Sequence, residues 1–235
     1  FTLENIIAIT TAGHAKALRL SVRLALISTL VCFLLAYPLA MILANTKTSK
    51  HHFIILIFIL PMWMNFLLRT LAWQTLLEKN GVINSVLTFL NLPNLKIINT
   101  PAAIVLGLVY NFLPFMILPL YNVLSKINTN VINAAHDLGA GSVYTFIRII
   151  LPLSVPGIIS GITMVFVPAL TSFVISNLLG GGKVLLIGNV IEQEFMQNMN
   201  WNMGSGLSIV LMIFVIASMA FMNSHSKDGE GTAVW

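Results

Sequence analysis

Long apolar runs alternate with short polar connections along the chain. Five stretches, 24–44, 53–77, 102–124, 157–179 and 203–223, are apolar over the roughly 20 residues that a bilayer-crossing helix needs. The first is uncharged, and the second is interrupted only by Arg69. The third contains Pro114 and Pro119. The fourth is the back of an uncharged run, 149–179, too long for one upright helix. Its front, with Pro152 and Pro156, reads as the exit from the preceding loop, and a kink is expected near Pro168. Gly157 and Gly161 form a small-xxx-small pair, a spacing that marks close helix contact but also arises by chance. The connections differ. Residues 45–52 are a short polar turn, 78–101 a longer loop rich in Asn, Gly and Pro, and 125–148 a loop with helical content. Residues 180–202 carry the apolar run "VLLIGNVI", too short to span, which predicts a re-entrant or interfacial segment. The pattern predicts an all-α integral membrane protein, one transmembrane domain over 1–235.

Composition agrees. The chain of 235 residues is 57% hydrophobic and 8% charged, whereas soluble domains carry about 25% charged residues. A soluble fold has no means of hiding so much apolar surface. The net charge is +5, twelve Lys and Arg against seven Asp and Glu, and the cations are scattered, a distribution of membrane-interface residues rather than a nucleic-acid face. Cys32 is the single cysteine, so no disulfide framework exists. Residues 1–23 hold no uninterrupted apolar region and do not read as a signal peptide. Loop charges are balanced between the two sides, so the positive-inside rule does not orient the chain.

One stretch, "NAAHDLGAGSVYTFIRIILP" at 133–152, is polar and rich in small residues between two apolar segments. Over 129–139, Val131, Ala134, Ala135 and Leu138 fall on one helical face. Asn128 or Thr129 is placed to cap the start, and Gly139 and Gly141 to end it. A second short helix, 142–149, then meets Pro152, giving a helix–turn–helix beside the membrane. By periodicity alone, an amphipathic loop resting on lipid fits as well.

The spacing goes further: Asn133-Ala134-Ala135, three residues, Gly139, nine residues, Ile149, one residue, Leu151-Pro152. This resembles the "EAA" loop, E-A-A-x3-G-x9-I-x-L-P, of the permeases of bacterial ABC importers. Asn133 departs from the pattern by replacing Glu, which puts a charged contact with the ATPase at that position in doubt and leaves a hydrogen bond open. "TPAAIVLGLVYNFLPFMILPLY", "NLLGGGKVLLIGNVI" and "LPMWMNFLLRTLAWQTLLEKNGVIN" are similar to the PotB-type permeases of spermidine/putrescine importers. The resemblance implies a type I ABC importer permease (MetI-like) bundle in the bacterial inner membrane, five of its six spans lying in this chain and the first absent from it. It also implies a cytoplasmic loop that docks on an ATPase subunit, with Asn133, Ala134, Ala135, Asp137, Gly139, Leu151 and Pro152 as coupling residues. The implied partners are an ATPase dimer, a second homologous permease and an extracytoplasmic polyamine-binding protein, facing loops 78–101 and 180–202. No nucleic acid, cofactor or metal is implied, and no catalysis by this chain.

A polyamine is held by carboxylates and, through cation–π contact, by aromatic faces. No Asp or Glu lies within the predicted spans. Near the outer mouth, Glu192 and Glu194 are favoured over Glu78 as pathway residues, with two solvated carboxylates the alternative. Trp63, Trp73, Tyr110 and Asn111 are the other pathway candidates, against an aromatic belt and packed core. Arg69 would repel a polycation, and is expected to pair with a carboxylate or carbonyl. "GGGK" at 180–183 is no phosphate loop, since Asn177 and Val184 stand where that loop needs Gly and Ser or Thr. His51 and His52 are adjacent, not at metal-ligand helical spacing. A secondary transporter or channel would call for intramembrane ionisable groups or inverted repeats, and only Arg69 is present. Ferric iron, opines and other amines stay open as cargo.

Overall fold

The computed structural model describes residues 12–45, 56–58 and 60–230, without the side chains of 12, 223 and 225–230. His51 and His52, the turn at 46–52 and the tail beyond 230 lie outside the described residues. Among the described residues all regular structure is helical. Four helices are long and apolar enough to cross a membrane, or five if a bent pair counts as one span.

Helix α1 (Ala12–Asn45) has 34 residues, about 51 Å at the α-helical rise. It therefore exceeds the roughly 30 Å hydrocarbon core. Its first turns carry Lys16, Arg19 and Arg23, yet stay helical because Ala17 and Ser21 are buried against other parts of the fold. The expected span 53–77 is broken: Leu56–Trp63 and Phe66–Phe89 meet at 97°. A short 3-10 helix, Leu60–Trp63, closes the first half, and Asn65, whose Oδ1 accepts from the Leu67 amide at 2.8 Å, caps the start of the next helix. Beyond the break come α2 (Phe66–Leu77) and α3 (Val82–Phe89). The loop after α3 is organised by Asn84, only 3% exposed. Its Nδ2 donates to the Glu78 and Leu95 carbonyls, each at 3.1 Å, and its Oδ1 accepts from the Leu95 amide at 2.8 Å.

Helix α4 (Pro101–Leu124) packs against α1 and against α7 (Leu151–Thr171). Gly157 and Gly161 do mark that contact. A Cβ on Gly157 would sit 3.0 Å from the Pro119 carbonyl oxygen and from Val123 Cβ, and one on Gly161 2.6 Å from Met116 Sδ. Among the described residues three apolar clusters fill the bundle, one around Leu24, Ile104, Leu170 and Leu186, a second around Cys32, Tyr37, Met116, Leu120 and Val165, and a small third of Ala17, Val190 and Leu207.

The fourth expected span, 157–179, needs correction at both ends. Helix begins at α6 (Ser142–Thr145), passes through a π-helical turn at Phe146–Ile150 and continues as α7, so 149–156 is no loop exit and 142–149 no separate helix. The wide turn, with the Leu151 amide reaching back to the Phe146 carbonyl, makes room for Pro152, whose ring would clash with the carbonyl four residues back in an α-helix. At the other end the helix stops at Ser172, four residues past Pro168, and restarts as α8 (Phe173–Gly180). A turn at Gly181 and Gly182, φ +58° and +69°, reverses the chain into α9 (Ile187–Met196), and α10 (Trp201–Glu230) closes the bundle. Thus α8 and α9 form a buried hairpin. A side chain on Gly181 would collide with Asn99, whose amide donates to the Leu179 carbonyl at 2.9 Å.

Candidate coupling and translocation site

The EAA-like segment sits at the end of the bundle opposite the α8–α9 hairpin, beside the Tyr37 cluster. Helix α5 (Thr129–Asp137) starts at Asn128, whose Oδ1 accepts from the Asn130 amide at 2.9 Å. It ends in a Schellman turn: the Ala140 amide donates to the Ala135 carbonyl and the Gly139 amide to the His136 carbonyl, each at 2.9 Å, with Gly139 at φ +83°. The expected four-residue stripe splits. Ala135 is buried, while Val131 is 45% and Leu138 89% exposed, with Ala134 exposed beside them. Ala135 follows Ala134 by 100° around the helix, so one of the pair faces inward and the other outward. Asn133, Asp137 and Pro152 are exposed and Leu151 half-buried.

Two contacts tie the root of this segment to α1. Tyr37 Oη and Ser154 Oγ are 2.8 Å apart, and the rings of Tyr37 and Phe146 meet edge to face at 5.7 Å. Phe146 opens the π-turn, so α1 grips the junction between the segment and α7. Sequence reasoning passed over this clamp, for which a tyrosine and a serine within apolar runs were the available signal.

At the hairpin end the candidate pathway residues separate into two groups. Trp73 and Tyr110 meet at 5.2 Å, and the Arg69 guanidinium lies over the Tyr110 ring at 5.9 Å. Arg69 Nη1 donates to the Pro61 carbonyl at 2.6 Å, the carbonyl pairing its position called for. Asn111 is not with them: it is buried, its Nδ2 donating to the Gly107 carbonyl at 2.8 Å, while Tyr110 is 37% exposed. Trp63 is 80% exposed at the bend.

Glu192 and Glu194 belong to the second group and part from each other. Glu192 lines a cavity of about 770 Å³ between α7, α9 and α10. Its Oε2 accepts from Asn177 Nδ2 at 2.8 Å. Asn177 Oδ1 accepts from Asn189 Nδ2 at 2.6 Å, and Asn189 Oδ1 accepts from the Leu186 amide at 3.0 Å. Glu194 Oε1 accepts from Asn198 Nδ2 at 3.0 Å and does not line that cavity. Asn177 and Asn189 were missed in the sequence, though each is a lone amide in an apolar run.

The bundle of apolar spans thus has a hairpin tucked into one end and the short helix α5 standing out at the other. Residues 6–224 match the family described as "Binding-protein-dependent transport system inner membrane component". The chain is 40% identical over 215 residues to the spermidine/putrescine transport system permease protein PotB of Escherichia coli (strain K12), covering 91% of this chain and 78% of that protein. It is 38% identical over 216 residues to the PotB of Haemophilus influenzae, covering 91% and 76%. A bacterial ABC transporter involved in the import of the acidic polysaccharide alginate has a similar fold, with TM-score 0.81 at 17% identity over 97% of this chain and 84% of that one. So does the MetNI methionine ABC transporter, with TM-score 0.65 at 16% identity over 92% and 95%. The chain belongs to the binding-protein-dependent transport system inner membrane component family. It is a multi-pass, non-catalytic permease subunit of an ABC importer, with the type I importer fold.

Proposed function

We propose that this chain forms half of the translocation pathway of an ATP-driven polyamine importer, spermidine and putrescine being its cargo. One geometric observation supports the transport mechanism: helix is continuous from Ser142 to Thr171, and α5 joins its start through the short turn 138–141, where the Gly139 and Ala140 amides are tied to the His136 and Ala135 carbonyls. A push on α5 thus crosses only this hydrogen-bonded turn before it reaches the membrane-spanning part of α7. The segment 125–152 lies in the cytoplasm in this reading. Asn133, Ala134, Ala135, Asp137 and Gly139 shape the surface that meets the ATPase, and Leu151 and Pro152 form the root that carries its motion. Closure of an ATPase dimer draws the segment inward and turns the pathway outward. A second homologous permease completes the pathway, and a polyamine-binding protein docks over 78–101 and 180–202. Of the pathway candidates, Glu192, Glu194, Trp73 and Tyr110 suit a cation best, while Trp63 and buried Asn111 contribute as bend and packing residues. The single domain extends over 1–235.

The cargo assignment draws on the PotB relatives, which are similar over nine-tenths of the chain. Ferric iron, an opine or another amine is the competing cargo. Reconstitution of the four-component assembly in liposomes decides. Saturable uptake of radiolabelled spermidine or putrescine that needs both ATP and binding protein is the expected result. Absence of amine uptake, with ATPase stimulation by a binding protein loaded with another solute, overturns the cargo.

A further inference from the structure

We propose that the cavity beside Glu192 is a subsite for one ammonium end of an elongated aliphatic amine. The inference rests on the amine-importer reading above and assigns a residue and a cavity to it. The volume of about 770 Å³ falls within the roughly 300–1,000 Å³ of small-molecule sites. Its wall is apolar and aromatic, with Phe173, Phe195, Trp201, Met196 and Met212, and Glu192 is the one ionisable side chain among its lining residues. Phe195 and Trp201 meet edge to face at 5.5 Å, which leaves ring surface for a cation.

The carboxylate is held by a built network. Asn177 takes one oxygen, and Asn189 fixes Asn177 while donating also to the Phe173 carbonyl at 3.1 Å. Among the described residues the other oxygen, Oε1, has no hydrogen-bond donor, and no Lys or Arg pairs with the group. The site therefore presents a fixed negative charge beside hydrocarbon and aromatic rings. A dehydrated hard cation does not suit it, since such an ion needs six or more oxygen ligands and the lining offers one carboxylate. An alkylammonium does: its N–H groups take Oε1, its charge faces the rings, and its methylenes cover the methionines.

The test uses the complete importer in nanodiscs and a diazirine-bearing alkyl diamine as photoprobe, with labelled peptides mapped by mass spectrometry. Labelling is expected on peptides from α9 and α10, competed by spermidine. Glu192→Gln should reduce it about tenfold, the value of one charge-assisted contact. Met212→Trp, which fills the cavity and keeps the carboxylate, should also reduce it. Labelling that is insensitive to Glu192→Gln, or that maps elsewhere, overturns the subsite. Polyamine uptake by the same preparation separates the two readings. Uptake with labelling independent of Glu192 sinks the subsite and keeps the permease assignment. Glu192-dependent labelling without polyamine uptake keeps an amine site and sinks the cargo. Failure of both removes both.

Discussion

Gly139 and Gly141 lie two residues apart in the α5–α6 turn, and a Cβ on either would meet nothing within 4 Å. Only Gly139 has a positive φ, +83°. The pair separates backbone strain from crowding. Valine at 139 must either adopt the left-handed region, at about 1–2 kcal/mol or more for a β-branched residue, or let the Schellman turn open. That is a shift of about 5–30-fold in the balance between the native turn and alternatives. An open turn swings Leu138 and the rest of the exposed stripe away from the geometry set by α7. Neither change touches the apolar clusters, so insertion and folding should survive. The assay is coupling in proteoliposomes: amine uptake per ATP hydrolysed, with all partner subunits present. Gly139→Val should lower that ratio at least several-fold with ATPase activity retained, Gly139→Asn should lower it less because Asn tolerates αL, and Gly141→Val should resemble the parent. Wild-type coupling in Gly139→Val, or equal damage from Gly141→Val, would refute the reasoning.

Two further outcomes follow from packing. Gly157→Ala presses on a backbone carbonyl and a Cβ, at 3.0 Å each, and should cost about 1–3 kcal/mol as overpacking. Gly161→Ala meets the flexible side chain of Met116 and should cost less, and a double-mutant cycle with Met116→Ala, in thermal unfolding in detergent, should return a favourable coupling even though Met116→Ala is itself destabilising. Arg69→Gln removes the cation over Tyr110 and the bond to the Pro61 carbonyl, so it should lower thermal stability by about 1 kcal/mol while leaving the KM for spermidine within about twofold. A large KM change would place Arg69 in the pathway.

Much of this protein was legible in one dimension because a bilayer imposes a rule that composition obeys. Apolar runs near twenty residues must become helices, since lipid satisfies no backbone group. The runs at 102–124 and 203–223 therefore correspond to α4 and the apolar part of α10. The spacing from Asn133 to Pro152 carried the family, because a turn needing Gly139 and a helix root needing room for Pro152 are local backbone requirements. Breaks within apolar runs were less legible. The Asn65 side chain that caps the start of α2, and the extended backbone at Ser172 where α7 stops, leave no mark in hydropathy. The π-turn at Phe146–Ile150 absorbs Pro152 where a loop was expected, because a widened turn keeps the helix continuous. Partnership was decided by tertiary structure alone. Whether Gly157 and Gly161 meet another helix depends on where α4 lies. The two glutamates of "NVIEQEF" look alike in sequence, yet Glu192 is drawn to Asn177 across the hairpin while Glu194 bonds Asn198 just past the end of its own helix. A side chain's chemistry is written in the sequence, but its accessible oxygen, its neighbours and the space before it depend on residues brought close only by folding.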